Sequence, residues 1–213
     1  MQDADMVTLF HSPQSRSSGT LVLLEELGAP YRLHVLNMKA GEQRHQEFLA
    51  VNPLGKVPAI LHRGALVTEQ VAIFIYLADQ FSKAGLAPGI GDIRRGPYLR
   101  WLVYYAACYE PALVDKAMKR EPAAHATSPY GVFDTMLDNI VGQIRDKPYL
   151  LGEDISAADI LWGNALHWGM LFKLLPEDKA ITDYVGRITQ RPAAAKVSVM
   201  DDELAAEHQK ALG

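Results

Sequence analysis

The sequence predicts two domains, a mixed α/β domain followed by an all-helical one. Three observations support this division. Short β-prone segments alternate with helical patterns over residues 1–83, a glycine-rich linker occupies residues 84–92, and residues 93–213 show helical periodicity. The order strand, helix, strand within about thirty residues predicts a parallel strand pair with a right-handed crossover.

Composition excludes several classes of function. The net charge of −4 provides no basic surface for nucleic acid and no polybasic membrane anchor. No apolar run reaches the ~18 residues of a membrane span, and residues 1–5 lack a signal-peptide pattern. The only cysteine, Cys108, rules out an internal disulfide, and the seven histidines show no metal-binding spacing. We therefore expect a cytoplasmic protein without a metal, nucleic-acid or membrane partner.

The segment after the first predicted strand, Val7–Phe10, is rich in hydroxyl groups. It is followed by an apolar run that predicts a helix ending at Gly28. Ser15 and Ser17 stand where a helix N-cap is expected, and capping alone accounts for them. A hydroxyl at a helix N-terminus can also donate a hydrogen bond to a bound anion. The pattern leaves both roles open.

The most distinctive stretch runs from Asn52 to Leu61, with the sequence NPLGKVPAIL. Its Asn-Pro pair and glycine predict a turn, and Val57–Leu61 predicts a short buried strand. Pro58 stands at the start of this strand, where proline is tolerated. Arg63-Gly64 predicts a hairpin turn, after which Glu69 opens a helix. Taken alone, a Val-Pro pair is an ordinary turn before a strand.

Together these features resemble the soluble glutathione transferase family. The Asn-Pro-x-Gly-x-Val-Pro run, the hairpin and Glu69 match its glutathione-binding domain, and Ser156-x-x-Asp159 matches a helix capping box in its second domain. The resemblance implies an α/β thioredoxin-like N-terminal domain joined to an all-α C-terminal domain. It also implies a cis Val57–Pro58 bond.

The resemblance further implies which residues form the site. Ser15 best matches the catalytic serine of the phi, zeta and theta classes, with Ser12 and Ser17 as rivals. The catalytic cysteine of the beta class would fall at Arg16, so cysteine chemistry of that type is absent. The residues implied to bind glutathione, as a co-substrate, are Gln43, Arg44, Lys56, Val57, Pro58, Glu69 and Gln70. Relatives usually carry serine at the position of Gln70.

The second domain carries aromatic residues on the predicted helix Arg94–Tyr109, a pattern typical of a core or a dimer contact. By resemblance, Tyr105, Cys108 and Tyr109 line a pocket for a small hydrophobic electrophile. A two-fold homodimer is expected, with the helices around Tyr98–Tyr109 and Phe74–Phe81 at or near its interface. The tail after Met200 is polar and predicts a surface helix or a frayed end.

The predicted function is glutathione transfer to an electrophile, with Ser15 stabilising the thiolate. Within the same enzyme class, a glutathione-dependent peroxidase, disulfide reductase, dehalogenase or isomerase remains open. A non-catalytic glutathione-fold protein that binds partners or ligands is the alternative from a different class.

Overall fold

A computed structural model describes residues 5–121 and 123–211. Residues 1–4, on which part of the localisation prediction rests, lie outside the described residues. The chain divides into two compact units, one formed by Met1–Ala84 with Arg191–Gly213 and the other by Gly85–Gln190. The sequence predicts that residues 93–213 belong to the helical domain, whereas the contacts of Arg191–Gly213 group that segment with the first unit. The reason is that the last helix packs on the first one.

The first unit is a four-stranded sheet with helices against it. Its strands are β1 (Val7–His11), β2 (Tyr31–Val35), β3 (Ala59–His62) and β4 (Ala65–Val67), and its helices, in the numbering of the whole chain, are α1 (Arg16–Leu27), α2 (Gln46–Leu49), α3 (Gln70–Gln80) and α9 (Pro192–Lys210). The strand order is β2-β1-β3-β4, with β1 parallel to β2 and β3 antiparallel to both of its neighbours. The predicted parallel pair and the thioredoxin-like class are confirmed.

The central strand β1 positions the candidate site. Leu9 pairs with Leu33 of β2 and Ile60 of β3, and its side chain is fully buried. Helix α1 follows after a short loop and ends at Gly28, whose left-handed backbone (φ 60°) closes the last turn. Because α1 buries most of its surface, the loop that joins it to β1 is held at both ends by the core.

The second unit is helical. Its elements are α4 (Arg95–Tyr104), a π-helical turn (Tyr105–Tyr109), α5 (Glu110–Ala117), α6 (Phe133–Ile144), α7 (Ala157–Leu171) and α8 (Lys179–Thr189). The fully buried Trp162 lies at the centre of an aromatic core, with its ring 6.2 Å from that of Trp101. No helix of the described residues is both long enough and apolar enough to cross a membrane.

The predicted capping box at the start of α7 is present. The Asp159 carboxylate accepts hydrogen bonds from the Ser156 N–H and hydroxyl, and also from the Leu150 N–H and the Tyr184 hydroxyl. Burial raises the pKa of Asp159 even though these donors act in the opposite direction. The box therefore anchors α8 and the preceding loop as well as its own helix.

The packing of α7 on α8 provides a stability test. A Cβ added at Gly163 would lie 2.5 Å from Ile188 Cβ, so Gly163→Ala forces the two helices apart. We expect this change to lower the free energy of unfolding by about 1–3 kcal/mol, measured by urea denaturation. Gly142→Ala in α6 is the matched control, because nothing lies within 4 Å of its Cβ position. Equal effects of the two substitutions would contradict the packing argument.

Candidate active site

The loop between β1 and α1 is held by its own serines. The Ser15 hydroxyl caps α1 by accepting from the Ser17 N–H (3.2 Å), and it donates to the Ser12 carbonyl (2.7 Å). The Ser15 N–H donates in turn to the Ser18 hydroxyl (3.3 Å), completing a capping box. The capping interpretation of Ser15 is therefore correct. Because the cap fixes the hydroxyl at the helix N-terminus, it also places it beside the positive end of the helix.

A buried polar cluster lies directly behind this loop. The Ser17 hydroxyl is 2.8 Å from the Ser15 hydroxyl and 2.9 Å from Nδ1 of His11. It also lies within hydrogen-bonding distance of both backbone groups of Ser12. Ser17 and His11 are both fully buried. Ser17 therefore connects the cap residue to a histidine that solvent does not reach.

Asp201 of α9 completes the cluster. Its carboxylate accepts hydrogen bonds from the Gln14 N–H (2.9 Å) and the Ser18 hydroxyl, and its Oδ1 lies 3.0 Å from Nε2 of His11. These two atoms are in contact but do not meet the geometry of a hydrogen bond. Burial raises the pKa of Asp201, but these partners outweigh burial and the net pKa is lowered. Asp201 is therefore ionised at neutral pH.

A cleft of about 190 Å³ opens in front of the loop. Ser12 and Ser15 line it, whereas Ser17 does not; the other lining residues are Pro13, Gln14, Asn37, Met38, Lys39, Ala205 and His208. The Ser12 hydroxyl makes no hydrogen bond within residues 5–121 and 123–211. Two of the three candidate serines thus face a common space, together with a cationic side chain, Lys39.

The turn of the distinctive stretch is built around Asn52. Its side-chain amide donates to the Lys56 carbonyl (2.9 Å), and its side-chain oxygen accepts from the Leu54 N–H (3.1 Å). Gly55 adopts φ 59°, and a Cβ there would lie 2.7 Å from the Gln43 carbonyl oxygen. The Arg44 guanidinium donates to the Leu54 carbonyl (3.3 Å). The candidate residues Gln43, Arg44 and Lys56 are therefore drawn around one turn.

Val57 and Pro58 follow this turn and join it to β3. The Val57–Pro58 peptide bond is cis. The Val57 side chain packs in a cluster with Phe10 and Leu36, which lie at or next to the ends of β1 and β2. Its backbone N–H and C=O make no hydrogen bonds among the residues that the structure describes. Both backbone groups of Val57 are thus without a protein partner in the described part of the chain, although Val57 does not line the cleft at Ser15.

Glu69 and Gln70 stand at the N-terminus of α3. Glu69 adopts a positive φ of 65° as the N-cap, and the first helical backbone bond runs from the Ile73 N–H to the Glu69 carbonyl. The Gln70 side-chain amide donates to the Arg16 carbonyl (2.9 Å), which joins the N-termini of α3 and α1. Two helix N-termini, each with positive partial charge, are thereby held together.

The three candidates in the second unit occupy different environments. Tyr105 and Tyr109 are buried against Trp162, and their hydroxyls donate to Glu110 (2.7 Å) and to the Ala165 carbonyl (3.1 Å). Cys108 is partly exposed, and burial raises the pKa of its thiol. The two tyrosines thus contribute to the core of this unit. That the three residues line an electrophile pocket stays a prediction.

Several residues of the cluster and cleft were not candidates from the sequence. Lys39 belongs to a polar segment that is typical of any surface, and His208 and Asp201 lie in the polar tail. His11 is the last residue of β1 and belongs to no recognisable motif. The cluster forms through long-range contacts such as the hydrogen bond between Gln14 and Asp201, which are 187 positions apart. No local signal in the sequence identifies such a contact.

We compared the sequence and the structure of this chain with those of known proteins. Residues 6–79 match the family model described as the glutathione S-transferase N-terminal domain. The structure of a sphingomonad glutathione S-transferase complexed with glutathione superposes with a TM-score of 0.75 at 30% identity, covering 92% of this chain and 98% of that one. The chain belongs to the glutathione S-transferase family.

Two relatives in the glutathione S-transferase family match this chain over nearly their whole length. Glutathione S-transferase GstA of Escherichia coli O157:H7 is 28% identical over 205 residues, covering 95% of this chain and 99% of its own. Disulfide-bond oxidoreductase YfcG of Escherichia coli K12 is 28% identical over 207 residues, covering 90% and 94%. The family therefore includes members named for transfer and for disulfide chemistry at equal similarity to this chain.

The Gly55 contact provides a test of how rigid the turn is. Gly55→Ala adds both left-handed strain, about 1–2 kcal/mol for a non-glycine residue, and a clash with the Gln43 carbonyl. We expect a larger loss in the free energy of unfolding than for Gly64→Ala, whose φ is 79° but whose Cβ position is open. Thermal denaturation of the two variants measures this difference. A smaller loss for Gly55→Ala would show that the turn readily moves away from Gln43.

Proposed function

We propose that this chain is a glutathione transferase in which Ser15 stabilises the glutathione thiolate for attack on a small hydrophobic electrophile. The cleft in front of the β1–α1 loop is the observation that carries the proposal. It combines the Ser15 hydroxyl, held by its capping bonds, with the N-terminus of α1 and the cation Lys39. Family membership and the glutathione bound in the sphingomonad structure support glutathione as the ligand of that cleft.

The chemistry requires a site that favours the anion. A free thiol has a pKa of about 8.5, so at neutral pH most of it is protonated and a poor nucleophile. A hydroxyl that donates to sulfur, together with the partial positive charge at a helix N-terminus, lowers that pKa. Ser15 supplies the donor at the first turn of α1. Serine is no base at its ordinary pKa, so the role of Ser15 towards sulfur is donation.

We assign the other contacts with glutathione along the length of this tripeptide. The free backbone groups of Val57 pair with the cysteinyl backbone of glutathione in the manner of an added strand. The N-terminus of α3, at Glu69 and Gln70, holds the γ-glutamyl carboxylate through its N–H groups. Gln43, Arg44 and Lys56 serve the glycine carboxylate from the turn that they share. Each end of the ligand thus meets donors or positive charge.

The electrophile and the assembly are further parts of the proposal. A small hydrophobic electrophile is held by the second unit, for which Tyr105, Cys108 and Tyr109 are the candidates. The protein acts as a two-fold homodimer with the helices around Tyr98–Tyr109 and Phe74–Phe81 at or near the interface. Val103, on the surface of α4, is 52% exposed and supports a contact there. Sedimentation at micromolar concentration tests the dimer.

Glutathione-dependent disulfide reduction is the second candidate function, supported by the similarity to YfcG. Cys108 lies in the second unit, and the pKa of its thiol is raised, so it is a weak nucleophile. In this reaction the bound glutathione thiolate itself attacks a mixed disulfide. A panel of chloronitrobenzene, hydroperoxide and mixed-disulfide substrates separates the two functions. Turnover of the disulfide alone would overturn the transferase proposal.

The serine series tests the proposed role of Ser15. We expect Ser15→Ala to raise the apparent pKa of bound glutathione and to lower turnover by about a hundredfold, since one donor to an anion is worth on the order of 3 kcal/mol. Ser12→Ala and Ser17→Ala should have smaller effects. Turnover of chloronitrobenzene against pH measures all three. If Ser12→Ala is the most damaging change, the free Ser12 hydroxyl is the thiolate donor instead.

Gln70 tests which groups hold the γ-glutamyl carboxylate. Its side-chain amide already donates to the Arg16 carbonyl, so we assign the carboxylate to the Gln70 backbone N–H. We expect Gln70→Ser to leave glutathione affinity unchanged or modestly improved, whereas Gln70→Pro, which deletes that N–H, weakens it severely. Calorimetry with glutathione measures both. A large affinity loss in Gln70→Ser would identify the side chain as a principal ligand contact.

A further inference from the structure

The proposed thiolate chemistry leaves one proton unaccounted for. When glutathione binds as a thiol and becomes a thiolate, its proton must pass to another group. The serines of the loop donate and relay hydrogen bonds, but none is a base at neutral pH. The proton therefore needs a base that is connected to the loop by hydrogen bonds.

The buried cluster contains one continuous path from the cleft to a base. Ser15 lines the cleft and its hydroxyl is 2.8 Å from that of Ser17. The Ser17 hydroxyl is 2.9 Å from Nδ1 of His11, and Nε2 of His11 is 3.0 Å from Asp201. Ser17 and His11 are fully buried, so Ser15 is the member of the path that meets the cleft.

We propose that Ser15 and Ser17 carry the thiol proton of glutathione to His11, and that Asp201 is the positioning residue that stabilises the resulting imidazolium. This inference rests on the proposed function, because it needs a bound thiol. Between the thiol and His11 the path consists of two hydroxyl groups, and each can release one proton as it receives another. The proton therefore moves without any charge resting on a serine.

The transfer balances atom by atom. The S–H bond breaks and its proton goes to Ser15, the Ser15 hydroxyl proton goes to Ser17, and the Ser17 hydroxyl proton goes to Nδ1 of His11. For the transfer, the Ser15 hydroxyl turns from the Ser12 carbonyl to donate to Ser17, and the Ser17 hydroxyl donates to Nδ1 of His11. Afterwards the imidazolium donates to Ser17, Ser17 donates to Ser15, and Ser15 donates outward to the thiolate. The products are one thiolate and one imidazolium, with no change in net charge.

The surroundings of His11 favour this outcome. Asp201 from α9 faces Nε2, and its carboxylate is held ionised by the Gln14 N–H and the Ser18 hydroxyl as well. On the neighbouring strand β2 the register partner of His11 is Val35, which carries no charge. The new positive charge on His11 thus forms beside a carboxylate that is already in place. As in a catalytic triad, one imidazole nitrogen faces a serine and the other faces a carboxylate, but here the two nitrogens exchange roles.

A triad in which Ser17 itself attacks a substrate is the competing interpretation. Its hydroxyl has no exposed surface and contacts both backbone groups of Ser12. An acyl group would have no room to reach it. The order of burial, with Ser15 at the cleft and Ser17 behind it, fits a relay and does not fit a nucleophile.

The test follows the protonation state of His11 directly. Nuclear magnetic resonance of the isotope-labelled imidazole nitrogens of the full chain is recorded with glutathione and with S-methylglutathione, which has no thiol proton. We expect glutathione to convert the His11 signals to those of an imidazolium and S-methylglutathione to leave them unchanged. Ser17→Ala should abolish the response to glutathione, while Ser82→Ala, at an exposed serine far along the chain, should retain it.

The outcomes separate this inference from the proposed function. Glutathione bound by calorimetry with unchanged His11 signals overturns the relay, and so does an equal response to both ligands. No binding of glutathione at all overturns the proposed function itself. The comparison uses the wild-type chain for its main result, so a folding defect in Ser17→Ala does not prevent a decision.

Discussion

The geometry of the candidate site depends on the hydrogen bonds that the Asp201 carboxylate accepts. One carboxylate of α9 receives the Gln14 N–H and the Ser18 hydroxyl, and it lies beside His11. These three partners lie at the end of β1, in the loop and at the first turn of α1. Without Asp201, the buried Ser18 hydroxyl would lose its acceptor, and such a loss costs about 1–3 kcal/mol. The last helix of the chain thus fixes the geometry of its first loop.

In the loop between β1 and α1, the groups that stabilise the backbone are also the groups that the proposed chemistry uses. Ser15 caps α1, and the cap is what presents its hydroxyl to the cleft beside the helix N-terminus. In the same way, Gln70 ties α3 to α1 with its side chain and leaves the helix N-terminus to receive an anion. A residue that orders the backbone thus also holds two positively polarised helix N-termini together. The capping role of Ser15 is thus confirmed, whereas its role towards a thiolate stays a proposal.

The fold could be predicted from the sequence because its signals are local. The turn at Asn52, the hairpin and the Ser156–Asp159 box each act over a few residues, and each is present in the structure. The buried cluster could not be predicted in this way. Asp201 looks like one more acidic residue of a polar helix, and only its tertiary contact with Gln14 shows that it is buried. Tyr105 and Tyr109 show the same limit, since their spacing fits a core and a pocket equally well.

Both proposals depend on glutathione binding in the cleft with its sulfur at Ser15. A crystal structure of the complex with glutathione tests this most directly. We expect the sulfur to lie within hydrogen-bonding distance of the Ser15 hydroxyl and the cysteinyl backbone of glutathione to pair with that of Val57. A complex in which the sulfur lies away from the β1–α1 loop, with Ser15 still donating to the Ser12 carbonyl, would contradict it.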